Sequence, residues 1–84
     1  MNETIAFESE KSYGSNIRIK SQIGTLELSY VKTIKYTEHE HPYDKTKYYI
    51  YTFLNKNNDD IVNFASDNIL TISKHKYINT YEIK

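Results

Sequence analysis

Gly24-Thr25-Leu26-Glu27-Leu28-Ser29-Tyr30-Val31-Lys32-Thr33-Ile34-Lys35-Tyr36 is the stretch whose reading decides the fold. Leu26, Leu28, Tyr30, Ile34 and Tyr36 share one parity, with Lys32 as the single interruption. Glu27, Ser29, Thr33 and Lys35 lie opposite, joined by Val31. Period-two alternation predicts a strand with one buried face. Taken as one strand, Leu26–Tyr36 would run roughly 35 Å at about 3.3 Å per residue. So long a strand in so short a chain is expected to coil or bend and to serve two parts of a curved sheet.

The flanks extend the same pattern. Upstream, Ile17, Ile19, Ser21 and Ile23 alternate with Arg18, Lys20 and Gln22, and Gly24 marks a turn or bend. Thr4–Glu8 reads as a short edge strand, and Glu10–Asn16 as a loop closed by Gly14. Downstream, Thr37–Thr46 reads as a polar loop. Lys47–Leu54 follows, apolar or aromatic on both sides, which suits a central strand. Asn55–Asp60 is a wholly polar hairpin loop, and Ile61–Ala65 returns as its partner strand. In Ser66–Ser73, Ser66 or Asp67 would cap a single turn carrying Ile69, Leu70 and Ile72. Tyr77–Ile83 reads as the last strand. Two glycines and one proline leave Asn, Asp and Ser to make most of the turns.

Composition narrows the class. The 84 residues suffice for a single domain with a small core. We divide it into an acidic edge strand and loop (1–16) and a β core (17–84). Without cysteine there is no disulfide, thiolate metal site or thiol nucleophile. The acidic start and the lack of a long apolar run argue against a leader peptide or membrane span and for a cytoplasmic location. The bias toward Ile, Asn, Lys and Tyr suggests an AT-rich bacterial, phage or plasmid genome. Eleven basic side chains balance eleven acidic ones, so a strongly basic nucleic-acid binder is excluded. Glu3, Glu8 and Glu10 concentrate acid at the start and leave a mild basic surplus beyond it. Arg18 is the only arginine, which disfavours a major-groove reader built on bidentate guanine contacts.

Across Gly24–Ile83 the order of features resembles the small OB-fold domains of phage and plasmid replication proteins, of the single-strand-binding type. The long alternating strand is followed by a loop and by Tyr49-Ile50-Tyr51-Thr52-Phe53. A polar hairpin, then Val62-Asn63-Phe64-Ala65-Ser66, and a closing Lys74–Lys84 strand come next. Such domains carry a fifth closing strand, and here Ile17–Ile23, Thr4–Glu8 or a partner chain would have to supply it. They also often carry an aromatic where this chain has Asn63, and a hairpin glycine where it has Asn and Asp. The expected class is therefore all-β: a small curved antiparallel sheet or a partly open five-stranded OB-like barrel, with little helix.

The resemblance implies a groove for single-stranded DNA or RNA. Tyr49 and Tyr51 would stack bases behind Lys47, each stacked base being worth roughly 1–3 kcal/mol. Lys32, Lys35, Lys45 and Arg18 would line the phosphate track, and Tyr43 and His41 would flank it. Aromatic residues are equally what a central strand contains, so the same tyrosines also read as core. Glu38-His39-Glu40-His41 sets two imidazoles on one side of an extended chain, half a metal site that would need Asp44 or His75 to fold over it. A solvated loop is the simpler account, and no metal or cofactor is expected. Asn57-Asn58-Asp59-Asp60 lacks the spacing and closing glutamate of a calcium loop. Phosphate-loop, triad and carboxylate-pair signatures are absent, so the chain is expected to bind rather than catalyse. The second reading is a protein-binding module, such as a phage or plasmid inhibitor of a host or defence protein of the anti-CRISPR type, with homodimerisation through an open sheet edge as a further route.

Overall fold

The structure is a computed structural model that describes residues 2–74 and 78–82, of which 71–74 and 78–82 are described by backbone course alone. Eight strands follow in order: β1 (Thr4–Glu8), β2 (Ser15–Ser21), β3 (Gly24–Val31), β4 (Thr33–Glu40), β5 (Lys47–Leu54), β6 (Asp60–Ser66), β7 (Thr71–Lys74) and β8 (Ile78–Glu82). They form two four-stranded sheets, ordered β1-β4-β5-β6 and β3-β2-β8-β7. Every pairing is antiparallel except that of β2 with β8. The all-β class holds, and the sheets do not close into a barrel. Among the described residues no helix is long and apolar enough to cross a membrane.

The long strand predicted over Leu26–Tyr36 is two strands in different sheets. Ser15 pairs with Val31 and Ile17 with Leu28, so β3 advances three residues while β2 advances two. The extra residue is a β-bulge, and Tyr30 sits in it with φ +62°. The bulge reverses the alternation. Leu28 packs against the core, Tyr30 turns outward and is 62% exposed, and Val31 is fully buried. Lys32 then carries the chain into β4. Its N–H donates to the Leu54 carbonyl (2.8 Å) and its carbonyl accepts from the Ser9 N–H (2.8 Å). Its Nζ donates to the carbonyls of Ser9 (2.8 Å) and Lys11 (3.1 Å). The crossing segment thus loses no main-chain hydrogen bond on leaving one sheet for the other.

The facing sides of the sheets make the core. Ile34, Tyr51 and Phe53 from one sheet meet Ile17, Ile19 and Val31 from the other, with Leu70 from the β6–β7 connection. Burying each such side chain stabilises the fold by roughly 1.5–3 kcal/mol. Tyr36, Tyr51 and Phe64 stand in line across β4, β5 and β6. Their rings touch in sequence at centroid separations of 5.2 Å and 5.6 Å.

Three further expectations need correction. β4 runs to Glu40 and pairs with β5 as far as Lys47, because the odd positions Lys35, Thr37 and His39 form a half-buried outer face. The loop predicted over Thr37–Thr46 therefore shrinks to 41–46. Ile23 does not share the buried face of Ile17 and Ile19; it sits in the β2–β3 turn and is wholly exposed. Ser66 does bond the main chain ahead of it, its Oγ accepting from the Asn68 N–H at 3.2 Å, but the single turn expected to carry Ile69, Leu70 and Ile72 does not form, because the chain enters β7 at Thr71. Of the last predicted strand, Tyr77 and Ile83 lie outside the described residues.

Gly14 holds the crossing together. Its φ is +97°, and a Cβ there would stand 2.5 Å from the Tyr30 carbonyl carbon and 2.6 Å from its oxygen. Both atoms are backbone, so neither can swing aside. Gly14→Ala is expected to lose on the order of 2–3 kcal/mol, a fall in Tm of roughly 10–20 °C for a domain of this size. Gly24→Ala meets nothing within 4 Å and should cost less, despite its φ of +154°. Equal losses at the two sites would contradict the close approach at Gly14.

Candidate binding surfaces

The residues expected to line a single-strand groove converge only in part, Tyr43 and Lys47 meeting beside His41 at the β4–β5 tip while Arg18, Lys32, Lys35 and Tyr51 lie outside that depression. Tyr51 is fully buried, and its hydroxyl accepts a hydrogen bond from the Leu70 N–H at 2.9 Å. It is a core residue that anchors the β6–β7 connection, not a stacking platform. Tyr49 is half-buried, with its ring edge-on to Tyr36 at 5.7 Å and 88°. The charged candidates are dispersed. Arg18 lies on the outer face of β2 and grips Glu27 through Nη2 at 2.8 Å and Nε at 2.9 Å. Lys35 pairs with Glu3 at 3.0 Å and Lys47 with Glu38 at 3.5 Å. Lys32 is at the crossing, bound to two carbonyls. Tyr43 and Lys45 lie on the β4–β5 tip, where the 98% exposed Tyr43 lines one open depression together with His41 and Lys47.

That tip is tightly built. The His41 N–H donates to the Thr46 carbonyl at 2.8 Å, and Lys45 takes φ +64°. The Asp44 carboxylate accepts from the Thr46 hydroxyl (2.8 Å) and N–H (3.0 Å). These two bonds, the hydroxyl's first, hold the Asp44 carboxyl below its usual range, and the neighbouring His41 adds to the effect. Behind the tip, His39 stacks on Tyr48 at 5.1 Å and 20°, and His41 leans on the same ring at 4.6 Å. His39 Nε2 bonds Thr37 Oγ1 (2.7 Å), and His41 Nε2 meets Asp67 Oδ1 (3.2 Å). The imidazoles are thus engaged with a ring, a hydroxyl and a single carboxylate. Among the described residues no three His, Asp or Glu side chains group as a metal ion requires. His75 lies outside them.

Two surfaces that alternation did not single out carry four of the nine large exposed hydrophobic side chains among the described residues. At one end of β3, Ile19, Ile23, Leu26, Val62 and Phe64 line an apolar cleft between the β2–β3 hairpin and β6, with Leu26 46% exposed. At the other end, Tyr30 meets Tyr13 edge to face, centroids 6.2 Å apart at 74°. Asn55, Lys56 and Asn57 of the β5–β6 loop complete that corner. β3 is the end strand of its sheet, and no described strand pairs with its outer edge. Glu27 is its one charged side chain, and Arg18 holds it. Edges are usually guarded by lysines, prolines or bulges. The Gly24–Leu28 part of this edge carries none of them.

No protein-family model, curated protein or solved structure matches the chain.

Burial raises the Tyr51 phenol above its ordinary value, with Tyr36 and Tyr49 adding to the shift and the Leu70 N–H opposing it. The unfolded chain gives up this proton near pH 10, while the folded chain retains it. The contribution to stability is therefore complete below about pH 10 and is lost as pH rises through the higher folded value. Tyr51→Phe is expected to cost roughly 1–3 kcal/mol at neutral pH, because the buried Leu70 N–H loses its acceptor. It should also make the decline in stability above pH 10 shallower. Denaturant titrations at pH 7 and between pH 9 and 11.5 check both; an unchanged alkaline limb would contradict the burial of this hydroxyl.

Proposed function

We propose that this chain is a non-catalytic module that binds another protein along the outer edge of β3. The observation that carries this reading is the coincidence of an unpaired strand edge with large exposed apolar groups at the same place. Ile23, Leu26 and Tyr30 are 100%, 46% and 62% exposed, all on β3 or its turn. An extended segment of a partner adds its main-chain hydrogen bonds to such an edge, and side-chain pockets beside it supply selectivity. Tyrosine suits that role, with a large ring and a polar tip at low entropic cost.

The alternative, a groove for single-stranded nucleic acid, draws less support from the geometry. A phosphate track needs cations that gain by meeting phosphate. Arg18, Lys35 and Lys47 already face carboxylates, and Lys32 faces carbonyls. The net charge of zero points the same way.

A benzophenone amino acid placed at Leu26 is expected to crosslink a discrete protein in extracts of the source cell. The same group at Asn63, exposed on the opposite sheet, should not. Unlabelled wild-type chain should compete the adduct away, and Leu26→Asp should not. Single-stranded DNA and RNA oligonucleotides should show no binding tighter than about 100 μM at 50 mM salt. Micromolar, salt-sensitive oligonucleotide binding would reject the reading in favour of the nucleic-acid groove.

A further inference from the structure

Tyr30 occupies a conformation that its own side chain disfavours. A bulky residue at φ +62° is an outlier, and glycine or asparagine would adopt that backbone with less strain. The bulge explains why position 30 needs a positive φ. It does not explain a tyrosine there, because the ring is mostly exposed and adds little to the core. What the side chain supplies is one wall of the corner it forms with Tyr13. The corner is an open depression of about 290 Å³, bordered on its other side by Asn55, Lys56 and Asn57. Bulges recur where a side chain must be re-aimed at a ligand, and local strain is concentrated at such positions.

The shape of the corner selects its occupant. Two parallel rings would sandwich a flat base, but these meet at 74°, one ring's edge toward the other's face. Lys11 Nζ lies 5.9 Å from the centroid of Tyr13 and covers more of that ring. An angular aromatic notch of this kind suits a compact, puckered aliphatic ring better than a planar one. The position along β3 agrees. The bulge ends the regular run of β3, so a strand laid along its edge loses its main-chain partner there. Proline, which has no N–H to leave unpaired, belongs at such a strand end. Lys56 lines the same corner and the Lys11 ammonium lies over the Tyr13 ring that forms one of its walls, so acidic side chains beside that proline are the complementary charge.

Resting on the protein-binding reading of the β3 edge, we propose that the Tyr13–Tyr30 corner binds a proline flanked by Asp or Glu in an extended segment of the partner. The test is selection of a displayed random twelve-residue peptide library on the wild-type chain, with counter-selection on Tyr30→Gly. That variant relieves the positive φ and should melt within a few degrees of wild type, so lost binding cannot be ascribed to unfolding. The expected result is enrichment of peptides with proline next to an acid. A synthetic peptide of the enriched sequence should move the amide signals of Tyr13, Tyr30 and Asn55–Asn57 in an NMR titration, and should bind Tyr30→Gly and Tyr13→Ala at least ten-fold more weakly. No Tyr30-dependent enrichment, or enriched peptides lacking proline or acid, would overturn the proposal. So would an oligo-dT titration that moves the same signals at lower concentration. If crosslinking from Leu26 succeeds while the corner selects nothing, this inference falls and the edge-binding reading stands.

Discussion

Lys32 is the point on which the two sheets depend. A chain that leaves one sheet for another exposes main-chain groups at the crossing, and in a small core each unsatisfied group would cost on the order of 1–3 kcal/mol. Here the N–H of Lys32 reaches Leu54 of β5, and its carbonyl is reached by Ser9, which follows β1. Its ammonium meets two more carbonyls in the 9–11 segment. One residue therefore ties the first loop, the β3–β4 junction and the end of the central strand. Gly14 makes this geometry accessible by letting the loop backbone lie against Tyr30 with no Cβ between them.

The functional reading follows from that crossing. Because β3 turns away before Lys32, it contributes to a different sheet from β4 and becomes an end strand. The bulge that sends Val31 inward sends Tyr30 outward. The inward Val31 and the outward Tyr30 thus follow from a single extra residue, and the edge that no described strand pairs follows from the crossing. Four of the five cations expected to line a phosphate track, Arg18, Lys35, Lys47 and Lys32, face Glu27, Glu3, Glu38 and main-chain carbonyls respectively.

The strands with plain alternation or dense aromatic content were legible in the sequence. Lys47–Leu54 is β5 as read, and Thr4–Glu8 is an edge strand whose bulge at Ala6 lets Phe7 reach the core. The crossing was not legible, although its trace is present. Val31 is apolar in a polar phase, and Lys32 is charged in an apolar phase. Two successive violations mark a phase shift, and taking Lys32 as an interruption and Val31 as a member of the polar face conceals the break. The candidate site was less legible still. Alternation assigned Tyr30 to the buried face and left Tyr51 open to either role, and only the pairing register separates the two. Tyr13 lies in a loop, where no period operates, so its meeting with Tyr30 has no sequence signal.

Native-state hydrogen exchange of a dilute sample tests the central claim most directly, namely that the chain breaks at Lys32 and leaves the β3 edge open. The account predicts that the Lys32 amide is among the slowest to exchange, near the rate set by global unfolding, since its acceptor is the carbonyl of the buried Leu54. Alternate amides between Gly24 and Leu28 should exchange quickly, because they point away from β2 toward solvent. A fast Lys32 amide would contradict the crossing, and uniformly slow amides along β3 would contradict the open edge.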